Sequence, residues 1–112
     1  MGSDLPSNAS VLFEVPTPLG FNVRTTADYW QFIVTVKHPV MRDRLADVQL
    51  TLTRPDEVRL SKTDSQVYLF YREEDRVKRW VCAVARRLND DGFLITTYRT
   101  SAVKEGEPIW QR

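Results

Sequence analysis

The sequence predicts an α+β domain: an N-terminal hairpin or strand, two helices, and then a four-stranded antiparallel meander. Two observations predict this order. In the middle of the chain, apolar side chains recur every three or four residues, as on one face of a helix. From Glu57 onward, segments rich in Val, Ile, Tyr, Phe and Trp alternate with short polar turns, as in antiparallel strands.

The chain begins with a polar, turn-rich stretch, residues 1–10, which we expect to be a flexible N-terminus. Residues 11–112 are assigned to a single domain, because the chain has 112 residues and no internal repeat. Val11–Val15 and Phe21–Arg24 are predicted strands on either side of the turn-forming segment Pro16–Gly20. They form the predicted hairpin.

A first helix is predicted after Thr26, although Phe32–Val36 taken alone favours a strand. Thr26 is a suitable N-cap residue. Four side chains then follow at helical spacing: Trp30, Ile33, Val34 and Lys37. This helix must end near His38, because Pro39 disfavours the α conformation in the residue before it.

The second helix is predicted from Pro39, which suits a first helical turn, to Arg54-Pro55. One apolar face is formed by Met41, Leu45, Val48 and Leu52. His38 therefore lies at the start of this helix.

Four strands are predicted in the second half of the chain: Val58–Ser61, Val67–Arg72, Arg79–Leu88 and Phe93–Arg99. The turns between them are too short for anything but antiparallel neighbours. The tail after Val103 is predicted to be a loop that docks Ile109 and Trp110 on the body. Val58–Ser61 reads as an edge strand, which allows a homodimer without requiring one.

The strand register predicts a cleft. If the turn Asn89–Gly92 pairs Leu88 with Phe93, the face that holds Cys82 and Val84 is apolar and receives the helices. The opposite face then has a shallow floor of alanines with a polar rim: Ala83, Ala85, Tyr68, Arg87, Thr96 and Tyr98. A register shift of one residue would exchange the two faces.

Composition limits the chemistry. The net charge is +1, which argues against strong non-specific affinity for nucleic acid. One histidine and one cysteine cannot form a zinc site, and neither a glycine-rich phosphate loop nor a nucleophile-elbow motif is present. The sequence therefore predicts no metal or other cofactor. The sequence shows neither an apolar span nor a secretory signal. Its one cysteine, Cys82, is predicted to be a small buried apolar residue, and a lone thiol fits a reducing compartment. We therefore expect a cytoplasmic protein.

Across residues 11–112 the chain resembles a bacterial family of small proteins that is placed in the barnase/EndoU/RelE-like nuclease superfamily. These segments carry the resemblance: Thr17–Phe21, Tyr29-Trp30, Lys37–Met41, Arg54–Asp56, Val67–Tyr71, Cys82–Val84, Asp91–Thr96, Tyr98, Lys104–Gly106 and Trp110. The resemblance implies a RelE/barnase/EndoU-like fold. It also implies a metal-independent RNA endonuclease, often the toxin of a toxin–antitoxin pair whose small antitoxin protein blocks the cleft. In such enzymes the ribose 2′-hydroxyl attacks the adjacent phosphorus and leaves a cyclic phosphate.

The resemblance also implies roles for individual residues. His38 matches the start of the family's second helix and would be the general acid or base. Thr96 and Tyr98 match a final-strand Thr-x-Tyr motif, in which the threonine would hydrogen-bond the phosphate and the tyrosine would stack a base or relay a proton. Arg87 or Arg86 would stabilise the charged phosphorane. The predicted substrate-binding residues are Arg42, Tyr68, Arg86 and Lys104.

The sequence departs from the family motif at two positions. Thr97 replaces an alanine and Arg99 a proline; Arg99 would extend the basic rim or reach an antitoxin. Two other functions stay open. One is a non-catalytic RNA- or protein-binding module of the same fold. The other is a structural or regulatory protein in which His38 and Tyr98 serve only packing.

Overall fold

The computed structural model describes residues 11–112, and these form one seven-stranded mixed sheet with two short α-helices. The predicted flexible N-terminus, residues 1–10, lies outside the described residues. The elements in chain order are β1 Val11–Pro16, β2 Asn22–Thr26, α1 Ala27–Phe32, a π-helical turn Ile33–Lys37, a 3-10 turn Pro39–Met41, α2 Leu45–Thr53, β3 Glu57–Leu60, β4 Val67–Glu73, β5 Trp80–Leu88, β6 Asp91–Thr100 and β7 Glu107–Gln111.

The strand order is β1-β2-β6-β5-β4-β3-β7, and every pair is antiparallel except β2 with β6. The predicted α+β layout of two helices and a separate four-stranded meander is therefore wrong, and with it the RelE/barnase/EndoU-like form of that layout that the resemblance implied. The N-terminal hairpin and the C-terminal tail both join the central strands in one sheet. No helix in residues 11–112 is long and apolar enough to cross a membrane.

The parallel contact between β2 and β6 depends on Gly92. It covers only three residue pairs, from Asn22 opposite Asp91 to Arg24 opposite Phe93. A Cβ atom on Gly92 would lie 2.7 Å from the Asn22 carbonyl oxygen and 3.0 Å from the Phe21 ring. Glycine is thus required here for close backbone approach rather than for a turn. This is why a residue predicted to lie in the β5–β6 turn belongs to a strand.

Helix α1 begins as its sequence indicates. Thr26 is the N-cap, and its Oγ1 accepts a hydrogen bond of 3.1 Å from the Tyr29 backbone N–H. Trp30, Ile33 and Val34 are buried in the core, so helical spacing outweighs the strand propensity of this segment. The helical path ends at His38, whose φ of −142° and ψ of 77° reflect the proline that follows.

The single second helix predicted from Pro39 to Arg54 is divided in two. The 3-10 turn Pro39–Met41 ends before α2 starts, and Arg44 between them has φ −117° and ψ 27°. The Arg44 guanidinium pairs with Glu74 at 2.7 Å and with Asp47 at 3.2 Å. The interruption thus ties the loop before α2 to the end of β4.

The C-terminal tail, predicted to be a loop, is the edge strand β7. It pairs with β3 from Glu57 opposite Gln111 to Leu60 opposite Glu107. Trp110 packs against the core, whereas Ile109 is 47% exposed and does not dock. Because β3 lies between β4 and β7, it is not an edge strand, so the open edge that would have allowed a homodimer through it is absent.

A β-bulge in β6 decides which residues share a face. Leu88 pairs with Asp91, and the ladder continues through Ala85 opposite Leu94 to Val84 opposite Thr96, which leaves Ile95 as the extra residue. The predicted pairing of Leu88 with Phe93 is wrong. Consequently Thr97, rather than Thr96, lies on the face of the sheet that carries Ala83 and Ala85.

The two faces of the sheet have opposite roles to those predicted. The face that carries Phe70, Ala83, Ala85 and Leu94, here called the core face, packs with Ile33, Val48 and Leu52 of the helical segments. Alanines leave room for α2 to approach β5 closely. The other face, here called the site face, carries Leu69, Tyr71, Cys82 and Val84.

Candidate functional site

The position of His38 follows from where β2 leaves the sheet. The pairing of β2 with β6 ends at Arg24 and Phe93, so the remainder of β6 has no strand neighbour on that side. The helical segment runs along this free edge, where the Tyr29 hydroxyl donates a hydrogen bond of 2.7 Å to the Ile95 carbonyl. Both helical turns that flank His38 contact β6. This brings the half-buried imidazole to the site face, with its ring centroid 5.6 Å from that of Tyr98.

His38 and Tyr98 line a cavity of about 340 Å³ on the site face, here called the His38 cavity. Its other walls are Tyr71, Thr96, Lys104 and Glu105, together with Thr100 and Ala102. Three of the four predicted catalytic residues, His38, Thr96 and Tyr98, therefore meet in one place with the predicted substrate-binding residue Lys104.

Two tyrosine hydroxyls converge on Glu105. Tyr98 donates a hydrogen bond of 3.2 Å to the carboxylate Oε1, and Tyr71 donates one of 3.5 Å to the backbone carbonyl. Gly106 follows with a φ of +85°, and a Cβ atom there would lie 2.9 Å from the Leu60 carbonyl oxygen. The glycine thus fixes the turn that brings an exposed carboxylate back over the sheet.

The hydroxyl of Thr96 is buried and has no hydrogen-bond partner within the described residues. The adjacent Thr97 differs, since its hydroxyl donates a bond of 2.8 Å to the Cys82 carbonyl in the core. An unpaired buried hydroxyl costs free energy, and such exceptions call for an explanation such as a catalytic role. Thr96 thus brings to the cavity a buried polar group that the fold leaves unused.

The phenols of the cavity stay protonated. Burial raises the pKa of Tyr98 far above its ordinary value, and the neighbouring Cys82 and Tyr71 raise it further. Burial also raises the pKa of Tyr71, with Cys82 again adding to the effect. The pKa of Cys82 is raised to about 12 by its own burial. Tyr98 is therefore a hydrogen-bond donor, and the buried thiol beside it stays neutral.

Four predicted site residues lie outside the His38 cavity. Arg87 lies over the Phe21 ring, with its guanidinium carbon 4.5 Å from the ring centroid, and Tyr68 packs on the same ring at 5.3 Å. Both lie on the face of Ala83 and Ala85, as predicted, but the helical segments cover that face, so it is the core face. Arg86 is on the site face, but Asp64 binds its guanidinium at 2.7 Å. Arg42 is exposed on the turn that precedes α2.

Three polar side chains of the cavity were not predicted as site residues: Tyr71, Thr100 and Glu105. Tyr71 shares the site face with Leu69, as the alternation of side chains along β4 indicates. The Thr100 hydroxyl is used locally, since it donates a hydrogen bond of 3.1 Å to the Ala102 carbonyl. Glu105 comes directly before Gly106, and the glycine in Lys104-Glu-Gly106 was the sequence feature that could have indicated a turn at this residue. Arg99, expected on a basic rim, instead pairs with Glu74 at 3.0 Å.

Comparison with protein-family models, curated proteins and solved structures finds no match to this chain. Within residues 11–112, no three His, Cys, Asp or Glu side chains come close enough together to hold a metal ion. The function of the chain must therefore be inferred from the geometry of the His38 cavity and from the sequence resemblance.

Proposed function

We propose that this chain is an endoribonuclease that cleaves RNA with side chains alone. The ribose 2′-oxygen attacks the adjacent phosphorus, the bond from phosphorus to the 5′-oxygen breaks, and a 2′,3′-cyclic phosphate and a 5′-hydroxyl are left. This reaction needs a base for the 2′-hydroxyl proton, an acid for the leaving oxygen and donors around the phosphorane. The observation that carries the proposal is that an imidazole and a carboxylate flank Tyr98 in one cavity.

Glu105 acts as the base and His38 as the acid in the two proton transfers. Glu105 is exposed, so its carboxylate is free to accept the proton of the 2′-hydroxyl. His38, in its protonated form, gives a proton to the departing 5′-oxygen. In the free protein the Tyr98 hydroxyl holds the Glu105 carboxylate at 3.2 Å. When a phosphate enters, the same hydroxyl turns to a phosphoryl oxygen and releases the carboxylate.

The phosphorane is stabilised by three donors of the cavity. The raised pKa of Tyr98 keeps its hydroxyl available as a donor. Lys104 supplies the positive charge, as the one lysine or arginine of the described chain among the cavity walls. Thr96 reaches the phosphate after rotation about its Cα–Cβ bond, since its oxygen is shielded from solvent in the free protein. Donors set in place before the reaction are an effective source of rate enhancement.

A non-catalytic RNA- or protein-binding module is the second reading, and one observation favours it. Arginines that would bind phosphate are held by carboxylates, as Arg86 is by Asp64 and Arg99 by Glu74. With a net charge of +1, the chain offers little general attraction for nucleic acid. An enzyme that makes few phosphate contacts fits the same observation, because catalysis depends on the cavity rather than on tight binding.

The deciding experiment is incubation of the purified protein with RNA in EDTA. We expect fragments that end in 2′,3′-cyclic phosphate and 5′-hydroxyl groups, and far slower release of these fragments by His38→Ala, whose fold is checked by circular dichroism. Cleavage that requires magnesium, or that is as fast in the variant as in the wild type, contradicts the proposal. RNA binding without cleavage by the wild-type chain favours the binding module.

The cellular role we propose is that of a toxin. Expression of the wild-type chain should halt growth, whereas expression of His38→Ala should not. Robust growth at high wild-type protein levels contradicts this role. A small antitoxin protein stays a prediction.

A further inference from the structure

A second cavity, of about 380 Å³, opens where β2 and β6 separate. The two strands part after Arg24 and Phe93, because the chain turns into α1 at Thr26. Arg24, Phe93 and Ile95 line the opening, together with Tyr29 of α1. The volume lies in the range of small-molecule sites, about 300–1,000 Å³. We call this opening the β2–β6 cavity.

The surface of the β2–β6 cavity is mainly apolar. Tyr29 and Phe93 contribute aromatic rings and Ile95 contributes an aliphatic side chain, and all three are half-buried. Ile95 also packs with the buried apolar side chains of the site face. Small-molecule sites typically combine such apolar walls with a few polar groups that fix the orientation of the ligand. These walls therefore suit a molecule with an apolar body.

Arg24 provides an uncompensated charge at the edge of these walls. Its guanidinium carbon lies 4.5 Å from the centroid of the Phe93 ring, so a half-buried positive charge borders an aromatic surface. No ion pair within residues 11–112 includes Arg24. Glu14 lies opposite Arg24 on β1, but its carboxylate accepts a hydrogen bond of 3.1 Å from the Asn22 side chain. An anion at Arg24 would therefore gain charge-assisted hydrogen bonds without displacing a carboxylate of the fold.

The second arginine at the cavity is already compensated. Arg86 pairs with Phe93 across β5 and β6, and its guanidinium binds the Asp64 carboxylate at 2.7 Å and the Gln66 side chain at 3.1 Å. The pKa of Asp64 is lowered by hydrogen bonds from the Gln66 backbone and from Arg86, so this carboxylate stays charged at neutral pH. None of the cavity walls within residues 11–112 is acidic. The cavity therefore offers one positive charge, which matches a singly charged anion better than a phosphate dianion.

We infer that the β2–β6 cavity binds a small apolar monocarboxylate, with its carboxylate on Arg24 and its hydrocarbon body against Tyr29, Phe93 and Ile95. A guanidinium matches a planar carboxylate with two parallel hydrogen bonds. The body is an aliphatic chain or an aromatic ring, since both present the same apolar chemistry to these walls. The inference is independent of the proposed ribonuclease function, because none of the proposed catalytic residues lines this cavity.

The binding test compares ligands that differ in the head group. Octanoate, octanamide and octyl phosphate, and 3-phenylpropionate with its amide, are titrated separately into the full chain, and the amide resonances of Phe93 and Ile95 are followed by NMR. We expect at least one carboxylate to shift these resonances saturably. The corresponding amide should bind at least about tenfold more weakly, because it loses the charge-assisted hydrogen bonds. Acetate, which lacks an apolar body, should not bind.

Two variants test the role of Arg24. Arg24→Gln removes the charge, so it should weaken carboxylate binding by about tenfold or more and leave amide binding nearly unchanged. Arg24→Lys keeps the charge but not the planar fork, and its affinity should lie between those of Arg24→Gln and the wild type. Arg76→Gln removes the same charge from an exposed arginine between β4 and β5 and should bind as the wild type does. Circular dichroism checks the fold of each variant.

The inference is overturned if neither carboxylate shifts these resonances saturably, if the amides bind as tightly as the acids, or if Arg24→Gln binds as tightly as the wild type. Tighter binding of octyl phosphate than of octanoate would also contradict it, because the dianion would then find a second free charge. Binding of octanoate alone assigns an aliphatic ligand and binding of 3-phenylpropionate alone an aromatic one; either result, or binding of both, supports the inference. RNA cleavage is not measured here, so failure of this site and failure of the proposed nuclease are distinguishable.

Discussion

The imidazole of His38 packs against the phenol ring of Tyr98, with ring centroids 5.6 Å apart and planes inclined by 44°. One ring is placed by a proline that ends a helical turn and the other by the last half of β6. Neither element alone forms a site. The proposed cleavage therefore requires both side chains together.

Removal of either group of this pair should slow RNA cleavage without unfolding the protein. We expect a loss of about 10²- to 10⁴-fold for His38→Ala, as for removal of a general acid, and about 10- to 10³-fold for Tyr98→Phe. Single-turnover rates on a short RNA measure both. Tyr68→Phe is the matched control, because Tyr68 lies on the core face against Phe21. Equal effects of the two tyrosine variants would contradict the assignment.

The adjacent threonines of β6 should separate function from stability. Thr96→Val removes a hydroxyl that the fold leaves unpaired, so we expect unchanged or higher thermal stability and slower cleavage. Thr97→Val removes the donor to the Cys82 carbonyl and should cost about 1 kcal/mol in the free energy of unfolding. Its cleavage rate should stay close to that of the wild type. Urea unfolding and RNA cleavage, measured on both variants, test this; a stability loss confined to Thr96→Val would count against it.

Substitution of Glu105 should alter the pH profile as well as the rate. In kcat/KM against pH, the limb that rises from acid reports the base and the limb that falls toward alkali reports the acid. Glu105→Gln should therefore abolish the acid limb, whereas Glu107→Gln, exposed on β7, should not. Because the pKa of Tyr98 is raised, its hydroxyl stays protonated as the pH increases and adds no alkaline limb of its own. An acid limb that persists in Glu105→Gln assigns the base elsewhere.

Glu74 should link stability to acid pH. Burial raises its pKa, but hydrogen bonds from Arg99 and Arg44 outweigh burial, so the pKa lies below its ordinary value. A carboxyl whose folded pKa is lowered stabilises the fold above its unfolded pKa, and the effect is lost as pH falls through the folded pKa. The wild type should thus lose stability on acidification. The Glu74→Gln variant should be less stable than the wild type at pH 7, but its stability should change less as the pH falls. Asp90→Asn, at a side chain 98% exposed, should follow the wild type in urea unfolding.

Gly106 should be less replaceable than Gly20. Both have positive φ, +85° and +87°, but a Cβ atom at Gly20 meets nothing within 4 Å, whereas one at Gly106 would lie 2.9 Å from the Leu60 carbonyl oxygen. Gly20→Ala should cost about 1 kcal/mol from backbone conformation alone. Gly106→Ala should cost more and also slow RNA cleavage, because it displaces Glu105. Thermal unfolding and cleavage rates of the pair test this; equal costs would contradict the close approach.

The local elements of the fold were predictable from the sequence. The Thr26 cap, the stop at His38 and the strands of the second half follow from side-chain type and spacing. The bulge at Ile95 was not, since this residue has ordinary strand propensity and nothing local marks it as extra. The parallel contact of β2 with β6 and the pairing of β7 with β3 join segments far apart in the chain. Such contacts depend on packing that periodicity does not encode.

The candidate site was predicted in part despite the wrong register. Thr96 and Tyr98 are two residues apart and both follow the bulge, so they share a face in either register. The stop at Pro39 placed His38 correctly at a join between helical turns. Arg87 and Tyr68 lie with Ala83 and Ala85 in either register, so the error placed Thr96 and Tyr98 on the same face as these two residues, although they lie on opposite faces. Glu105 was missed because its position depends on how the tail folds back.

The bulge at Ile95 also divides β6 into two segments, and the residues that face the interior are even-numbered in the first segment and odd-numbered in the second. Before it, the even-numbered Leu94 points to the interior; after it, the odd-numbered Thr97 does. Gain or loss of one residue between the bulge and Tyr98 would carry the phenol into the interior, while a change of two would return it to the cavity. The end of this strand can therefore tolerate changes of length only in pairs, and this rule restricts how related chains could vary here.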